Sequence, residues 1–325
     1  MKSFETMNPA CFPMEENVQN TLMRAVIYEK YGNPSVLQLT WLPIPKPGRN
    51  ELLIRLCATS VTAADWRLRK ADPFLARIFN GLFRPKRVKV LGFELAGMVV
   101  ETGEAVTRFQ PGDKVFGFCG LSFGAYAEYK CMSENAEIAL KPGNLSFGEA
   151  AVLPVGGLTA LRLLRRACMA DGKNILVYGA SGSVGSYAIQ LAKNMGALSV
   201  TAVCSTDNIG MVLSLGADMV IDYRKQDIRN CGRQFDIILD AVGKTSRFTC
   251  RKLLRSRGRF VTVRGSIKGD KDDLSILKAA AESGHLRPYI DRVCELAQVK
   301  EAHAYVEQFH KKGNVVIKFD GAPDR

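Results

Sequence analysis

The fold of this protein is decided by the stretch Asn174-Ile-Leu-Val-Tyr-Gly-Ala-Ser-Gly-Ser-Val-Gly185. Its first part is an apolar run typical of a buried strand, and Gly179, Gly182 and Gly185 follow in a short turn. Beyond the turn, apolar residues recur at helical spacing on one face: Val184, Ala188, Leu191, Ala192 and Met195. This order of strand, glycine-rich turn and helix predicts a dinucleotide-binding unit.

The turn also predicts where a cofactor binds. Glycines let the backbone turn tightly and come close to a pyrophosphate. The free N–H groups and the positive dipole at the start of the next helix favour its negative charge. We therefore expect cofactor contacts from six residues of the turn: Gly179, Ser181, Gly182, Ser183, Val184 and Gly185.

Strand-like and helical segments alternate through the rest of the second half. Five strands are predicted, over residues 175–178, 199–204, 219–222, 236–240 and 259–263. Such alternation is typical of a parallel sheet covered by helices. Further helices are predicted over residues 274–282 and 299–310. A terminal strand is predicted over residues 315–319, and we expect it to rejoin the first domain.

The first half of the chain has a different pattern. From residue 23 to about residue 132, short β-rich runs are separated by turn signals such as Lys46-Pro-Gly48, which predicts a barrel-like β domain. A capping box at Ser146-Phe-Gly-Glu149 then opens a helical stretch. We predict a loose extension over residues 1–22, a β domain formed by 23–145 and 285–325, and a cofactor-binding domain over 146–284.

The end of the second strand bears on coenzyme choice. NAD-binding sites usually carry an Asp or Glu there, but this chain has Cys204-Ser205-Thr206. Small hydroxyl residues leave room for a 2′-phosphate, and Tyr223 and Arg224 end the third strand nearby, so we predict NADPH. Asp207 is the contrary signal; alternatively it is a first-turn acid of a helix that Thr206 caps.

Composition narrows the class of protein. The net charge of +13 is concentrated at residues 67–89 and 244–264. We interpret Arg251, Lys252 and Arg255 as a solvated helix face and, in the absence of a nucleic-acid-binding motif, expect no nucleic-acid partner. Nine cysteines without a Cys-x-x-Cys pair indicate neither a disulfide framework nor a zinc ribbon. No apolar run could span a bilayer and residues 1–20 lack a targeting pattern, so we expect a cytoplasmic protein.

The chain resembles the medium-chain dehydrogenase/reductase superfamily, specifically its quinone oxidoreductase and ζ-crystallin-like branch. Besides the glycine turn, several segments carry this resemblance: Val61-Thr-Ala-Ala-Asp-Trp66, Gly92-Phe-Glu-Leu-Ala-Gly97, Gln110-Pro-Gly-Asp-Lys-Val115, Gly124-Ala-Tyr-Ala-Glu128, Gly157-Leu-Thr-Ala160, Leu215-Gly-Ala-Asp-Met-Val-Ile-Asp-Tyr223 and Asp240-Ala-Val-Gly243. The resemblance implies an α/β protein with a Rossmann-type doubly wound parallel sheet and a GroES-like β-barrel domain.

The resemblance also implies a zinc-free branch. Zinc-dependent members of the superfamily use a Cys and a His of the first domain, where this chain has Thr62 and Phe93. The three histidines, His285, His303 and His310, all lie near the C-terminus, and we interpret them as surface or packing residues. We therefore expect no metal ligand in this chain. Without a Lewis acid, an unactivated alcohol is a poor substrate.

The implied reaction is reduction of an electrophilic acceptor. The substrate would be a quinone or an α,β-unsaturated aldehyde or ketone, reduced by hydride from nicotinamide C4 of NADPH. Candidate catalytic residues are Thr62, Asp65 and Tyr126, although Asp65 is equally well a helix cap and Tyr126 a buried packing residue. Further cofactor contacts are expected from Thr159 and from strand-end residues Val242, Gly243, Val263 and Gly265.

Two other classes of function and one structural question stay open. ζ-Crystallin-like proteins can bind RNA or act as structural proteins with a retained cofactor site, and the basic stretch 247–259 keeps this alternative alive. A short-chain dehydrogenase would need a Tyr-x-x-x-Lys pair, which is absent. A homodimer is left open, because residues 265–273 lead almost directly into a helix where related proteins insert an edge strand.

Overall fold

The computed structural model describes residues 21–265, 269–270 and 272–324. The strands in these ranges are β1 (Leu22–Ile27), β2 (Gln38–Pro43), β3 (Glu51–Ser60), β4 (Glu94–Thr102), β5 (Lys114–Phe118), β6 (Tyr129–Ser133), β7 (Glu137–Leu140), β8 (Asn174–Tyr178), β9 (Ser199–Cys204), β10 (Met219–Asp222), β11 (Phe235–Asp240), β12 (Leu254–Thr262), β13 (Ile290–Glu295) and β14 (Asn314–Lys318). The α-helices are α1 (Ala63–Lys70), α2 (Ala76–Asn80), α3 (Phe147–Ala151), α4 (Leu153–Arg166), α5 (Ser183–Asn194), α6 (Ile209–Ser214), α7 (Asp273–Glu282) and α8 (Val299–Glu307).

The predicted strands of the second half form one sheet, in the order β10-β9-β8-β11-β12. All its described pairs are parallel, and Ile175 of β8 lies between Val200 of β9 and Ile237 of β11. The strand order reverses between β8 and β11, which is where ligands bind in open sheets of this kind. The predicted Rossmann-type parallel sheet is confirmed.

One prediction for this domain is wrong. Arg251 and Lys252 lie in a short 3₁₀ helix, and Arg255 lies in β12, so the three do not share an α-helix face. β12 starts earlier than predicted because its pairing with β11 is irregular at its beginning, where Arg257 has a φ of 66° and Gly258 follows. Such a bulge keeps extra residues within one strand. The three basic side chains are nevertheless exposed, as expected.

The first half and the C-terminal end build the other large sheet. Its order is β13-β14-β3-β4-β5-β7, β6 also pairs with β3, and β1 and β2 form a separate hairpin. Val316 of β14 pairs with Ser60 of β3, which confirms that the terminal strand rejoins the first domain. β13 was missed because charged residues interrupt it. β1 begins at Leu22, and residues 1–20 of the predicted extension lie outside the described residues.

The link between the two domains is a buried pair of helices. The predicted capping box opens α3: the Ser146 hydroxyl accepts from the Glu149 N–H at 3.2 Å, and Glu149 accepts from the Ser146 N–H at 2.8 Å. Helix α4 packs against α5, and its apolar side chains share one core with Phe116 of β5. Helix α8 ends before the predicted residue 310, because Phe309 adopts a φ of 62°.

No helix in the described ranges is long and apolar enough to cross a membrane.

Candidate functional site

The glycine-rich turn joins β8 to α5 and is shaped to receive an anion. Gly179 has a φ of 76°, which favours glycine, and a side chain there would clash with Val242. A Cβ on Gly182 would contact only the Gly179 carbonyl, at 3.6 Å, and would otherwise enter open space. Gly182 is the N-cap of the 12-residue α5, and no side chain caps this helix. Its first N–H groups are therefore available to a pyrophosphate.

Gly185, in the same turn, is required for the packing of α5. A Cβ there would lie 2.3 Å from the Gly179 carbonyl oxygen and 2.7 Å from the Ala180 Cα. This glycine allows α5 to pack closely on the end of β8. Ser181 and Ser183 lie at either side of Gly182, and Val184 lies in the first turn of α5, as the strand–turn–helix pattern predicts.

The loop after β9 lies beside this turn. The side-chain amide of Asn208 donates to the Ser181 hydroxyl at 3.0 Å and to the Ser205 hydroxyl at 3.2 Å. Asn208 is buried, and within the described part of the chain its Oδ1 atom has no hydrogen-bond partner. A buried acceptor without a donor is costly, so this oxygen is suited to a hydroxyl of a bound ribose. The sequence did not mark Asn208 as a ligand.

Two residues expected to contact a cofactor from this loop, Thr206 and Cys204, have side chains that are engaged elsewhere. The Thr206 hydroxyl lies 2.5 Å from Asp222 Oδ2 and donates to it, and the residue that precedes the short helix is Ser205, not Thr206. Burial raises the pKa of the Cys204 thiol to about 11, and this side chain packs inward. The Thr206 hydroxyl can therefore only accept from a further partner, and the Cys204 side chain is turned into the core.

Two cations approach Asp207 on this loop. Arg224 Nη1 lies 2.8 Å from the Asp207 carboxylate, and Lys312 Nζ lies 3.3 Å from the Asp207 carbonyl oxygen. Arg224 also borders a groove of about 540 Å³, which is lined by Tyr178, Tyr223, Arg224, Lys225, Gln226, Asp227, Ile228, Arg229, Lys244, Thr245 and Thr249. Basic side chains outnumber acidic ones along this groove, as a 2′-phosphorylated adenosine requires.

The residues after β11 and β12 lie at the same end of the sheet. The Asp240 carboxylate accepts from the N–H groups of Val242 and Gly243, at 3.1 and 2.8 Å, and so fixes the loop that packs over Gly179. The Val263 N–H donates to the Asp240 carbonyl at 3.1 Å. Gly265 has a φ of 95° just beyond β12. The strand-end residues expected at the cofactor are thus on one edge with the glycine turn.

Thr62, Asp65 and Tyr126 form the other candidate cluster, in the first domain. Thr62 caps α1, and its hydroxyl donates to Asp65 Oδ2 at 2.6 Å, while the Gly92 N–H donates to Asp65 Oδ1 at 2.8 Å. Asp65 is fully buried; burial raises its pKa to about 6, against the opposing effect of the Thr62 hydroxyl. Asp65 is therefore the third helical residue of a capping box in which Thr62 is the N-cap.

A chain of buried groups continues from Asp65 to Arg69. The Tyr126 hydroxyl lies 3.0 Å from His303 Nε2, and on its other side it acts on the Asp65 carboxyl and lowers the pKa of that group. Arg69 Nη1 lies 3.3 Å from His303 Nδ1 and can only donate, so the neutral ring carries its hydrogen on Nε2. Burial and the Arg69 charge lower the pKa of His303 to about 3. The ring then donates to Tyr126, and the Tyr126 hydroxyl keeps its own hydrogen for the side of Asp65.

These buried groups determine what Thr62 can offer to a ligand. The Thr62 N–H, the Thr62 hydroxyl and the Gly92 N–H all donate to the Asp65 carboxylate, so the Thr62 oxygen can only accept from a further partner. Burial raises the pKa of Tyr126 well above its usual range, and its hydroxyl is already committed. His303, expected at the surface or in the packing, is fully buried, whereas His285 and His310 are exposed.

Glu94, which is buried, and Lys311, which is half-buried, are an acid and a base whose charges act on each other, and the sequence did not single them out. Glu94 Oε2 accepts from the Val155 N–H at 2.7 Å, and its other oxygen accepts from the Ser60 hydroxyl. Burial raises the pKa of Glu94 to about 7 and lowers that of Lys311 to about 8, and each charge favours the charged form of the other. The motif at 92–97 contains Glu94, but nothing local links it to Lys311.

The remaining candidates lie beside these groups. Thr159 is on α4, one turn after Val155, and donates to the Val155 carbonyl at 2.6 Å. Phe93 packs against Phe118 and Phe123, with ring centroids 6.0 and 4.0 Å away. Within residues 21–265, 269–270 and 272–324, no three His, Cys, Asp or Glu side chains are grouped as a metal site.

Comparison with known proteins places the chain in a family. Residues 48–143 match the alcohol dehydrogenase GroES-like domain, and residues 183–290 and 266–317 match models described as zinc-binding dehydrogenase. These matches confirm the GroES-like domain that was expected beside the parallel sheet.

Individual relatives agree. The chain is 41% identical to the chloroplast envelope quinone oxidoreductase homolog of Arabidopsis thaliana, with 91% of this chain and 98% of that protein aligned. It is 33% identical to the NADPH-dependent alkenal/one oxidoreductase of the same plant, over 91% of this chain and 79% of that protein. The quinone oxidoreductase of Coxiella burnetii superposes with a TM-score of 0.79 at 29% identity, covering 91% of this chain and 99% of the other. The chain therefore belongs to the medium-chain dehydrogenase/reductase superfamily, among its quinone and alkenal/one oxidoreductase relatives.

Proposed function

We propose that this protein reduces quinones or α,β-unsaturated carbonyl compounds with NADPH. The proposal is carried by the open Gly182 position at an uncapped helix start, together with a basic groove lined by Tyr178 at the end of β8 and by residues that follow β10 and β11. The names of relatives, NADPH-dependent alkenal/one oxidoreductase and quinone oxidoreductase, support the same chemistry. They also favour an enzyme over an RNA-binding or structural protein.

The residues present fit NADPH. The N–H groups at Ser183 and Val184 would hold the pyrophosphate, and the Asn208 Oδ1 atom would accept from a ribose hydroxyl. Arg224 and Tyr223 would receive the 2′-phosphate at the rim of the groove. Bound NADPH supplies a hydride from nicotinamide C4. The protein contributes binding, orientation and exclusion of water.

At the nicotinamide end we propose that Thr62 acts as a hydrogen-bond acceptor. Because its hydrogen is committed to Asp65, it is suited to orient a hydroxyl of the cofactor or substrate, not to donate to a developing oxyanion. Tyr126 then has the task of positioning Asp65, and the product takes its proton from solvent. Thr159 would support the nicotinamide from α4.

We propose that no metal takes part in the reaction. The two positions that carry Cys and His in zinc-dependent relatives are Thr62 and Phe93, and Phe93 is packed among aromatic rings. Neither side chain is a ligand that zinc uses. A substrate that is already electrophilic needs no Lewis acid, which supports quinones and enones over alcohols.

The expected cytoplasmic location stays a proposal, since both Arabidopsis relatives are named for the chloroplast. It rests on the eight described cysteines, none of which is in a disulfide, as a reducing compartment requires.

The proposal is tested by following NADPH absorbance with a panel of quinones, enals and enones, and by assaying the oxidation of simple alcohols with NADP⁺. We expect turnover of the electrophilic acceptors and none of the alcohols. Thr62→Val, which keeps the shape but removes the acceptor, should lower kcat/KM about 10-fold or more. Alcohol oxidation that equals enone reduction would contradict the proposal.

A further inference from the structure

The segment between α8 and β14 belongs to the first domain but lies along the cofactor turn of the second. The Gly313 N–H donates to the Ser181 carbonyl at 2.8 Å, and Gly313 forms a parallel bridge with Gly182. Gly313 adopts a φ of 55°, and a Cβ there would lie 2.2 Å from the Tyr289 carbonyl oxygen. The backbone that makes these contacts with the cofactor turn therefore depends on glycine at position 313.

Two lysines precede Gly313, and their ammonium groups lie in different places. Lys311 Nζ donates to the Gly313 carbonyl at 2.5 Å and faces the buried Glu94. Lys312 Nζ extends to the loop after β9 and donates to the Asp207 carbonyl at 3.3 Å. Only Lys312 reaches the strand end at which nucleotide-binding sheets distinguish a ribose hydroxyl from a 2′-phosphate.

The backbone of Lys312 is held firmly. Its N–H donates to Asp291 Oδ2 at 2.9 Å, and the Tyr305 hydroxyl donates to the same oxygen at 2.6 Å. The Lys312 side chain is half-buried, and across the described ranges no carboxylate lies within ion-pair distance of its ammonium. One of the three N–H donors is used by Asp207, so the others are available to a ligand oxygen.

The charges around this loop explain how Asp207 is compatible with binding of a 2′-phosphate. The Asp207 carboxylate is paired with Arg224 at 2.8 Å, so part of the Arg224 charge is already balanced. Lys312 adds a second cation without adding a second acid. The three side chains together leave a surplus of one positive charge beside the ribose position, contributed by both domains.

We propose that Lys312 is a coenzyme-specificity residue, whose ammonium binds the 2′-phosphate of NADPH from the first domain while Arg224 binds it from the second. The inference rests on the proposed use of NADPH and adds the residue that compensates for Asp207. In this arrangement the 2′-phosphate contacts both domains beside the Gly182–Gly313 bridge. NADH has no 2′-phosphate and makes no such contact.

The experiment measures dissociation constants by calorimetry for NADPH, NADH, 2′,5′-ADP and 5′-AMP. The variants are Lys312→Met, Lys312→Arg and, as a control, Lys300→Met, which removes an exposed lysine at the start of α8. Loss of a charge-assisted hydrogen bond should weaken NADPH and 2′,5′-ADP about 10- to 150-fold in Lys312→Met. NADH and 5′-AMP should bind as before, Lys312→Arg should retain most of the preference, and Lys300→Met should resemble the unmodified protein.

The outcomes separate this inference from the proposed function. If Lys312→Met weakens NADPH and NADH by the same factor, the residue supports the fold of the segment and the inference is wrong. Unchanged NADPH binding in that variant also overturns it, while leaving the proposed function intact. If the unmodified protein binds neither NADPH nor 2′,5′-ADP, the role of Lys312 and the proposed function are both wrong. In the double variant Arg224→Ala and Lys312→Met, NADPH and NADH should bind about equally.

Discussion

Arg224 and Asp207 form an ion pair at the ends of two neighbouring strands, with guanidinium nitrogen and carboxylate oxygen 2.8 Å apart. The hydrogen bond to Asp207 raises the pKa of Arg224 above its usual value, so the arginine is held as a cation beside the groove. An acid at this strand end would disfavour a 2′-phosphate if it stood alone. Paired with Arg224, it also orients the guanidinium.

Substitution of Arg224 and substitution of Asp207 should therefore change the preference for NADPH over NADH in opposite directions. We expect Arg224→Ala to narrow the preference for NADPH about 10-fold or more, because a charge-assisted hydrogen bond is lost. Asp207→Ala should widen it, because the anion is removed and the guanidinium is released to the phosphate. Dissociation constants for both coenzymes decide this. Tighter NADH than NADPH binding by the unmodified protein would contradict it.

Gly182 and Gly185 provide a matched pair of substitutions in the glycine turn. Gly182 has a φ of −81°, which any residue adopts, so the backbone itself does not require glycine there. Gly182→Val should fold with a melting temperature close to that of the unmodified protein, yet lose NADPH binding because the side chain fills the pyrophosphate position. Unchanged NADPH affinity in folded Gly182→Val would show that the turn is not the pyrophosphate site.

The control is Gly185→Val, in which the new side chain meets the Gly179 carbonyl and the Ala180 backbone. We expect this variant to lose stability as well as binding, since α5 can no longer pack on β8. Thermal unfolding separates the two effects.

Metal removal should leave the activity unchanged. With Thr62 and Phe93 in place of ligands, we expect no stoichiometric zinc in the purified protein and full activity after dialysis against a chelator. Metal analysis that finds about one tightly bound zinc per chain, with activity lost on its removal, would refute the zinc-free mechanism.

The raised pKa of Asp65 predicts that the protein loses stability as the pH rises. Its pKa of about 6 in the folded protein exceeds the ordinary value of 3.8, so the protonated form stabilises the fold at low pH. This contribution is lost as the pH rises to 6 and above, and amounts to about 2 kcal/mol between about pH 4 and pH 7. Asp65→Asn cannot titrate. It also leaves an amide N–H facing other donors, so it should be destabilised at both pH values.

The measurement is urea unfolding of both proteins at the two pH values. The stability deficit of Asp65→Asn should be about 2 kcal/mol smaller at neutral pH than at acid pH, because the unmodified protein has lost the contribution of its carboxylic acid. An equal deficit at both values would mean that burial does not raise the pKa of Asp65.

The sequence predicted those features that depend on local pattern. The five parallel strands, the glycine turn and the Ser146 capping box each depend on residues close together in the chain. So does the end of the second strand, which is at Cys204 as predicted. The early start of β12 was not predictable in this way, because a bulge at Arg257 and Gly258 overrides the helical spacing of the basic residues.

The contacts made between distant residues were not predictable from local pattern either. Lys312 reaches Asp207 across more than one hundred residues of sequence, and His303 reaches Tyr126 across a still larger separation. Neither lies in a motif, since their positions depend on β14 joining β3 and on the packing of α8. Thr62 was predicted as a candidate, but its role as an acceptor is set only by the buried chain behind it.

We propose that the protein transfers hydride from NADPH to an activated carbon without a metal. This proposal is tested most directly by incubating the chelator-treated protein with an enone and NADPH deuterated at C4 on either face, and analysing the product by mass spectrometry and NMR. We predict one deuterium at the β-carbon from one of the two labelled coenzymes, and none from the other. Consumption of NADPH with no deuterium in the product, or activity only after zinc is restored, would contradict the account.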